Sequence, residues 1–577
     1  MAWLALLSLF GLLATLLSGR VAPAVAFTSV AVLYALAGWV ETPRLLNAYT
    51  NPALVTLLVL LMVSQALERS PRLTQLAKRL MHGSERHATV KLVGMSALLS
   101  AFFNNTAVVA GLMSAVAKQP HFAPSRLLLP LSFAAVLGGI TTLVGTSTNL
   151  VVNSFAVEAA GVGFSLFQFS WVGVPVALLS LGMLIWRARG LPHHQAPSDQ
   201  AALHYFAAAQ VALDSPMIGR SIEANGLRQL EGLYLLEIER KGHLISPVGP
   251  DTRLQAHDTL VFTGDIGKLH ALQRFPGLAL FGHAASDLLT DNLVEVVLSH
   301  DSTLIHQTLQ HIDFRSRFDA GVVAIRRGNQ RLKGQLGRIP LKAGDCLLLA
   351  IGPDFHQHHN IIRNFYLLDD SVQRPSLGRW QNLLAVGGFA LTLAAAATQV
   401  LPLLHGLLLL LGALLLSGTL QLAELRRRFP FALWLTIGSA LAIAHGLSQS
   451  GGAEIITHGV QALFSGHGVY AAFIGCYLLT WLLTETVTNN AAAALSFPVA
   501  WATAQSFGAD PTPFMLAVAY GASACFLLPF GYQTHLMVYS TGQYRLRDIW
   551  RLGWPVSLVY SAGVLTLTPW VFSFYTP

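Results

Sequence analysis

The chain has 577 residues, of which 53% are hydrophobic and 11% charged, against about 25% charged in an average soluble domain. That balance excludes an ordinary soluble enzyme of this length, and the apolar content excludes a disordered chain. The net charge of +8 invites a nucleic-acid reading, but residues 190–373 hold 16 Lys/Arg and 19 Asp/Glu, net −3, while the remainder carries net +11. Three scattered cysteines, Cys346, Cys476 and Cys525, form neither a disulfide framework nor a zinc spacing.

In chain order, the apolar part falls into runs of about 20 residues, the length that crosses about 30 Å of hydrocarbon. Residues 1–18 read as a first membrane helix rather than a signal peptide, because Arg20 follows the run instead of preceding it. Spans are predicted near 22–40, 51–67, 126–158 and 168–186. A polar insert occupies 190–373, and further spans follow near 380–400, 403–420, 429–447, 513–541 and 552–574. Basic residues crowd the intervening loops: Arg69, Arg72, Lys78, Arg79 and Arg86 in one, Lys118 and Arg126 in the next, then Arg187 and Arg189. Arg374 and Arg379, Arg426 to Arg428, and Arg545, Arg547 and Arg551 complete the set. With all these loops cytoplasmic, only Arg44 is left outside. The positive-inside rule then predicts a multi-pass protein of the cell (inner) membrane with both termini external and the insert cytoplasmic. It also accounts for the basic excess without nucleic acid.

Two apolar stretches, 88–117 and 468–505, do not read as single spans. A helix from Ala88 to Asn104 rises about 25 Å, less than a full crossing. At its tip stands Asn104-Asn105-Thr106, and a second run returns to Lys118. The other stretch turns at Thr488-Asn489-Asn490. Both read as re-entrant hairpins, the first opening to the cytoplasm and the second to the exterior. Each half then has five membrane helices and one hairpin, and the odd number of crossings inverts the second copy. Asn104-Asn105-Thr106 matches Thr488-Asn489-Asn490 at an offset of 384, and Gly145-Thr146-Ser147-Thr148-Asn149 matches Gly531-Tyr532-Gln533-Thr534-His535 at 386. Inverted repeats with broken helices meeting at the midplane are the architecture of secondary transporters.

Helix N-termini at such breaks present N–H groups and partial positive charge to an anion. Helix C-termini, Asn and Thr offer neutral oxygens to a hard cation. Ser100 and Thr484 lie four residues before their hairpin tips and can share a helical face with them. An isolated Asn pair would read as helix-packing glue; two symmetric pairs, each beside a Gly-containing break, read as a site. Glu485 is the one acid buried in a hairpin. It is either a functional intramembrane acid or a structural hydrogen-bonding group.

The segments SAFFNNTAVV (100–109), PLSFAAVLGGITTLVGTSTNLVVN (130–153), TETVTNNAAAALSFPVA (484–500) and LLPFGYQTHLMVY (527–539) resemble the divalent anion/sodium symporters, the sodium-coupled sulfate and dicarboxylate carriers. The resemblance covers both membrane halves. It implies an elevator-type homodimer with a scaffold unit and a moving transport unit. By that resemblance Ser100, Asn105 and Gly145 line one sodium site and Thr484, Asn489 and Gly531 the other. Asn104, Asn105, Thr106, Thr146, Thr488, Asn489 and Asn490 face the anion. The tips depart from the family's usual Ser-Asn-Thr, and Thr-Pro-Pro is replaced by Thr-Ser-Thr and Tyr-Gln-Thr. These departures lean the substrate toward sulfate or a related oxyanion, with a succinate-type dicarboxylate as the alternative. His535 stands where the family usually has Asn. It is either a source of pH dependence or an extra hydrogen bond in the broken helix, the reading favoured here.

The insert reads as a tandem α+β repeat: Leu254, Ala256 and Asp258 match Leu341, Ala343 and Asp345 at an offset of 87. It resembles two TrkA-C (RCK-C) type lobes, 190–285 and 286–373, between transport repeats at 1–189 and 374–577. Such lobes dimerise and bind small regulatory ligands, or act as passive dimerisation modules; both readings stand. No G-x-G-x-x-G occurs, so no nucleotide cofactor is expected. Arg326, Arg327, Arg331 and Lys333 form a basic run read as a solvated strand edge rather than an anion site. A channel gated by the lobes is the rival class. LVGTST (143–148) lacks the aromatic residue of a TVGYG filter. A membrane enzyme, a third reading, lacks any nucleophile–base or metal-ligand constellation in the membrane half. The expected partners are a small dianion, co-transported sodium ions and membrane lipid.

Overall fold

The computed structural model describes residues 1–18, 21–69, 84–118, 122–193, 377–464 and 466–575, with most of 206–367. Arg20, Arg72, Lys78, Arg79, Lys333, Arg374 and the expected lobe boundary at 285/286 lie outside the described residues. The first half of the membrane part is built from α1 (Ala2–Ser18), α2 (Pro23–Leu36), α3 (Thr42–Tyr49), α4 (Pro52–Leu67), α5 (Glu85–Ser100), α6 (Asn105–Lys118), α7 (Pro124–Gly139), α8 (Ser147–Ala160) and α9 (Ser170–Ala188). The second half has α10 (Arg379–Ala397), α11 (Leu403–Leu416), α12 (Leu422–Arg427), α13 (Phe431–Gln449) and α14 (Gly452–Phe464). It continues with α15 (Gly468–Thr486), α16 (Asn489–Ser506), α17 (Pro511–Gly521), α18 (Gln533–Thr541) and α19 (Leu546–Val571). Among the described residues, Thr42–Leu67, Ser170–Ala188, Arg379–Ala397, Phe431–Gln449 and Gly468–Thr486 are long and apolar enough to cross a membrane.

The sequence reading needs correction at two matching places. The expected span 22–40 stops at Leu36, because Gly38 adopts φ +71° and turns the chain into the short α3. The expected span 403–420 stops at Leu416, and Gly418 at φ +67° turns it into α12. Each shortened helix has 14 residues, a rise of about 21 Å, shorter than the expected span. The amphipathic α14 was not anticipated. Its polar positions interrupt the apolar run, and Gln461 donates to Ser506 O on the end of α16 at 3.2 Å.

The two spans expected to be broken are broken. Residues 140–146 separate α7 from α8, and 522–532 separate α17 from α18. Both hairpins are present as α5–α6 and α15–α16. Much of the helix packing falls in two groups, joined where α4 lies on α8 and α14 on α16. α2 and α3 lie on α13, while α4 lies on α10 and α11. In the other group α5 packs on α7, α9 on α19, and α17 on both α15 and α16. Close approach depends on glycine: a Cβ at Gly138 of α7 would run into the Ala97 carbonyl of α5. Across the halves Arg69 pairs with Glu424, and Arg428 lies 4.0 Å from Glu68.

The insert is two antiparallel five-stranded sheets. The first comprises β1 (Phe206–Val211), β2 (Leu233–Arg240), β3 (His243–Ile245), β4 (Thr259–Gly264) and β5 (Leu278–Phe281), in the order β3-β2-β4-β1-β5. The second comprises β6 (Leu293–Leu298), β7 (Ala320–Arg327), β8 (Gln330–Arg331), β9 (Cys346–Ile351) and β10 (Phe365–Leu367), in the order β10-β6-β9-β7-β8. Read from the opposite edge, that is the same topology. A bulge interrupts β2 between Leu235 and Glu237 and β7 between Val322 and Ala324, the same 87-residue offset. Arg240 binds the buried Asp258 through Nε and Nη2, both at 2.8 Å, and Arg327 binds the buried Asp345 in the same way at 2.7 Å. Arg326 pairs with Glu295 at 2.5 Å. Arg326 and Arg327 of the basic run are therefore committed to carboxylates within their own sheet. The turns at Gly328 and Gly344 rest against α18.

Candidate transport site

The hairpin tips and the breaks bring four helix N-termini together. Asn105 opens α6, Ser147 opens α8, Asn489 opens α16 and Gln533 opens α18. Their side chains link the starts in pairs. Thr106 Oγ1 donates to Gln533 Oε1 at 3.2 Å, Ser147 Oγ donates to Asn490 Oδ1 at 3.1 Å, and Asn489 Nδ2 donates to Thr148 Oγ1 at 2.7 Å. Tyr532 Oη lies 3.3 Å from Thr146 Oγ1, tying α18 to α8 as well. No Lys or Arg occupies the first turn of any of the four. Positive electrostatic character here comes from N–H groups and helix dipoles. Asn104, Thr106, Asn489 and Asn490 are half-buried, and Thr488 and Gln533 are exposed. The Asn104 carboxamide caps its own turn by accepting from Thr106 N at 2.9 Å. It also lines a pocket with Gly145 and Ser147, walled by Leu57, Leu60 and Ser64 of α4.

Behind this polar opening lie two buried oxygen clusters at helix C-termini. In the first, Asn105 turns its carboxamide oxygen toward Tyr532 Oη at 2.5 Å. Its nitrogen donates to Ser100 Oγ at 2.5 Å, Gly145 O at 3.1 Å and Ala135 O at 3.2 Å. A Cβ on Gly145 would meet Gly139 O at 2.5 Å and both Ser100 O and Ala101 O at 2.9 Å. Three carbonyls therefore converge where a side chain is missing. The Thr142 hydroxyl donates to Ala101 O and accepts from Gly145 N at 3.2 Å. Nearby, Asn149 donates to Thr142 O at 2.8 Å, and its buried Oδ1 has no hydrogen-bond partner. The converging carbonyls, the hydroxyls and the unpartnered Asn149 carboxamide oxygen form an acceptor set that fits a hard monovalent cation, with the Asn105 amide holding the Ser100 hydroxyl and the Gly145 carbonyl in place. In the second cluster, Thr484 O approaches within 2.5 Å of the Cβ position on Gly531, and Thr484 Oγ1 donates to Ala522 O at 2.6 Å.

The structure thus brings Ser100, Asn105 and Gly145 together, and Thr484 with Gly531. Asn489 faces Thr148 instead. Thr146 is buried against Tyr532. Glu485 accepts from Leu527 N at 3.0 Å and Leu528 N at 2.9 Å, so its carboxylate holds the unwound backbone of the second break. His535 is fully buried. Its Nε2 donates to Cys525 O at 2.8 Å, and its Nδ1 accepts from Ser132 Oγ at 2.7 Å, which makes it the hydrogen-bonding histidine of the broken helix. Sequence reasoning missed Ser132, Thr142, Ser147, Thr148, Asn149, Tyr532 and Gln533 as site residues. The 386-residue offset carried a signal for several, since it aligns Thr146 with Tyr532 and Ser147 with Gln533.

Paired hairpins and paired broken helices inside an apolar two-half bundle define a polytopic helical membrane transporter, not an enzyme. The sequence model of the family described as citrate transporter (CitMHS) matches residues 12–521, and the chain belongs to that family. It is 30% identical to the "Putative sulfur deprivation response regulator" of Chlamydomonas reinhardtii, over 96% of this chain and 98% of that relative. It is also 30% identical to "Sodium/sulfate cotransporter 1" of the same organism, over 64% of this chain and 44% of that relative. The solved structure of the Alcanivorax borkumensis YdaH transporter aligns over 91% of this chain and 87% of that chain, with 13% identity and a TM-score of 0.42, too low to carry an argument.

Proposed function

We propose that the protein is a sodium-coupled symporter of a small divalent oxyanion, chiefly sulfate. The observation that carries this reading is the meeting of four helix N-termini, linked by uncharged side chains, beside two oxygen clusters at helix C-termini. An anion there would be bound by N–H groups, Asn and Thr, with no fixed cationic side chain. Sodium ions in the clusters would supply the missing positive charge, so loading of cation and anion would depend on each other. Inward movement would draw on the sodium gradient and on the membrane potential, worth about 2.3 kcal/mol per charge per 100 mV. The sodium/sulfate wording of a relative's name supports this choice of substrate.

The two packed helix groups support an elevator motion, with α5–α9 and α15–α19 moving against α1–α4 and α10–α13 in a homodimer. The charged loops support external termini and a cytoplasmic insert of two TrkA-C-type lobes. The test is uptake of labelled sulfate into proteoliposomes with and without an inward sodium gradient. Sodium-dependent sulfate uptake is expected, and sulfate uptake indifferent to sodium would overturn the reading. A dicarboxylate substrate is the second reading, favoured by the family's description as citrate transporter. Sodium-driven succinate uptake in the same vesicles, with sulfate inert, would establish it.

A further inference from the structure

The helix that follows the second break also contacts the insert. Ser540 lies near the end of α18, seven residues after Gln533, a separation of about 10 Å along a helix. The Ser540 hydroxyl donates to Gly344 O at 2.5 Å and accepts from Gly328 N at 3.2 Å. Both glycines belong to turns of the second sheet, and both have positive φ, +59° at Gly328 and +81° at Gly344. The fit is close. A Cβ on Gly328 would meet the Tyr539 ring hydroxyl at 2.7 Å, and one on Gly344 would meet Leu536 at 3.1 Å. Val297 and Cys346 of the same sheet join the buried apolar cluster of the membrane helices.

α18 is equally fixed at its other contacts. Thr534 and His535 bond to Ser132 of α7 at 2.9 and 2.7 Å. Just past its C-terminus, Tyr544 Oη accepts from Leu129 N at 3.0 Å and donates to Ser125 O at 2.5 Å. The tyrosine thereby inserts into the hydrogen-bond ladder of α7, the helix that ends at the first break. So one nine-residue helix and the turn after it join the insert to both breaks.

We propose that the inserted domain clamps the transport site through α18, with Ser540 as the positioning residue that transmits its grip to the two breaks. This rests on the transport reading. It means that the insert belongs mechanically to the unit that carries the breaks. A change in its second sheet would be felt at Tyr532–His535 before it reached any other part of the membrane bundle.

Hydrogen–deuterium exchange on the full-length protein in detergent, combined with sulfate uptake in proteoliposomes, tests it. Ser540→Ala removes the clamp from the membrane side. Gly328→Val removes it from the insert side, by straining the left-handed turn and driving a side chain against Tyr539. In either variant, exchange across 522–541 is expected to rise roughly five- to tenfold, the size of one or two lost hydrogen bonds. The apparent KM for sulfate is expected to rise while maximal rate changes less. Ser540→Thr, which keeps the hydroxyl, is expected to restore both. Unchanged exchange across 522–541 in a folded Gly328→Val protein, with faster exchange confined to the insert, would overturn the proposal. If Ser540→Ala fails to fold, Gly328→Val alone decides. Absence of sulfate uptake by the unmodified protein would instead sink the transport reading and leave the exchange result to judge the clamp.

Discussion

Tyr532 gives one hydroxyl to two elements at once, meeting Asn105 from the first hairpin and Thr146 at the start of α8. Tyr532→Phe would leave Asn105 without the group that orients its carboxamide. The expected outcome is a rise of about fivefold in the sodium concentration for half-maximal uptake, the scale of one neutral hydrogen bond. A sodium titration matching the unmodified protein would refute this. Gly145 is more demanding, because a methyl there would meet the Gly139 carbonyl at 2.5 Å. Gly145→Ala is expected to abolish sodium-dependent uptake in protein that still runs as a folded species on gel filtration. Glu485→Gln turns an amide N–H₂ toward a backbone N–H that now has a carboxylate oxygen. A loss of about 1–3 kcal/mol, read as a lower melting temperature, is expected, and an unchanged melting point would show that the break does not need the carboxylate.

The paired sheets offer an internal control at the level of elements. Arg240–Asp258 and Arg327–Asp345 occupy equivalent places, and both carboxylates are fully buried. Arg240→Ala and Arg327→Ala should therefore both destabilise the insert by similar amounts, on the order of 3 kcal/mol, because each strands a buried charge. Thermal or chemical unfolding followed by a probe within the insert checks the equality. In the second sheet, burial and the neighbouring Glu295 carboxylate push the Cys346 thiol well above its ordinary pKa. Cys346 is expected to resist maleimide at neutral pH until the insert unfolds.

Elements were legible in the sequence where chemistry was unusual for its surroundings. Asn-Asn pairs and Gly-Thr runs inside apolar stretches marked the tips and breaks, and the 87-residue echo marked the tandem sheets. The shortened α2 and α11 were not legible, since Gly38 and Gly418 lie in apolar runs whose length alone fits a crossing. Tyr532 was hidden because an aromatic residue in a membrane segment looks like core. The Ser132–His535 contact joins residues 403 apart, which no local pattern encodes.

In the whole molecule the halves interlock rather than merely abut. Arg69 and Glu424 are 16% and 13% exposed, and they join the end of α4 to α12 of the opposite half. Arg69→Ala should lower thermal stability measurably, because it leaves the shielded Glu424 with only the longer 3.8 Å pairing to Arg428. Arg44 and Glu158, 4.0 Å apart and 58% and 36% exposed, should show nothing measurable when Arg44→Ala is compared. A melting-temperature series on the two variants separates the cases.

The joint at Ser540 also bears on how such a chain can be recombined. The insert enters the sequence as a parenthesis between α9 and α10, which makes it look exchangeable between relatives. Its fit is instead written in a distant stretch, Leu536 to Tyr544, where side chains are matched to two left-handed glycine turns. A chimera that imports a foreign insert must import that stretch as well, and the two segments should therefore be inherited as a pair although nearly two hundred residues separate them.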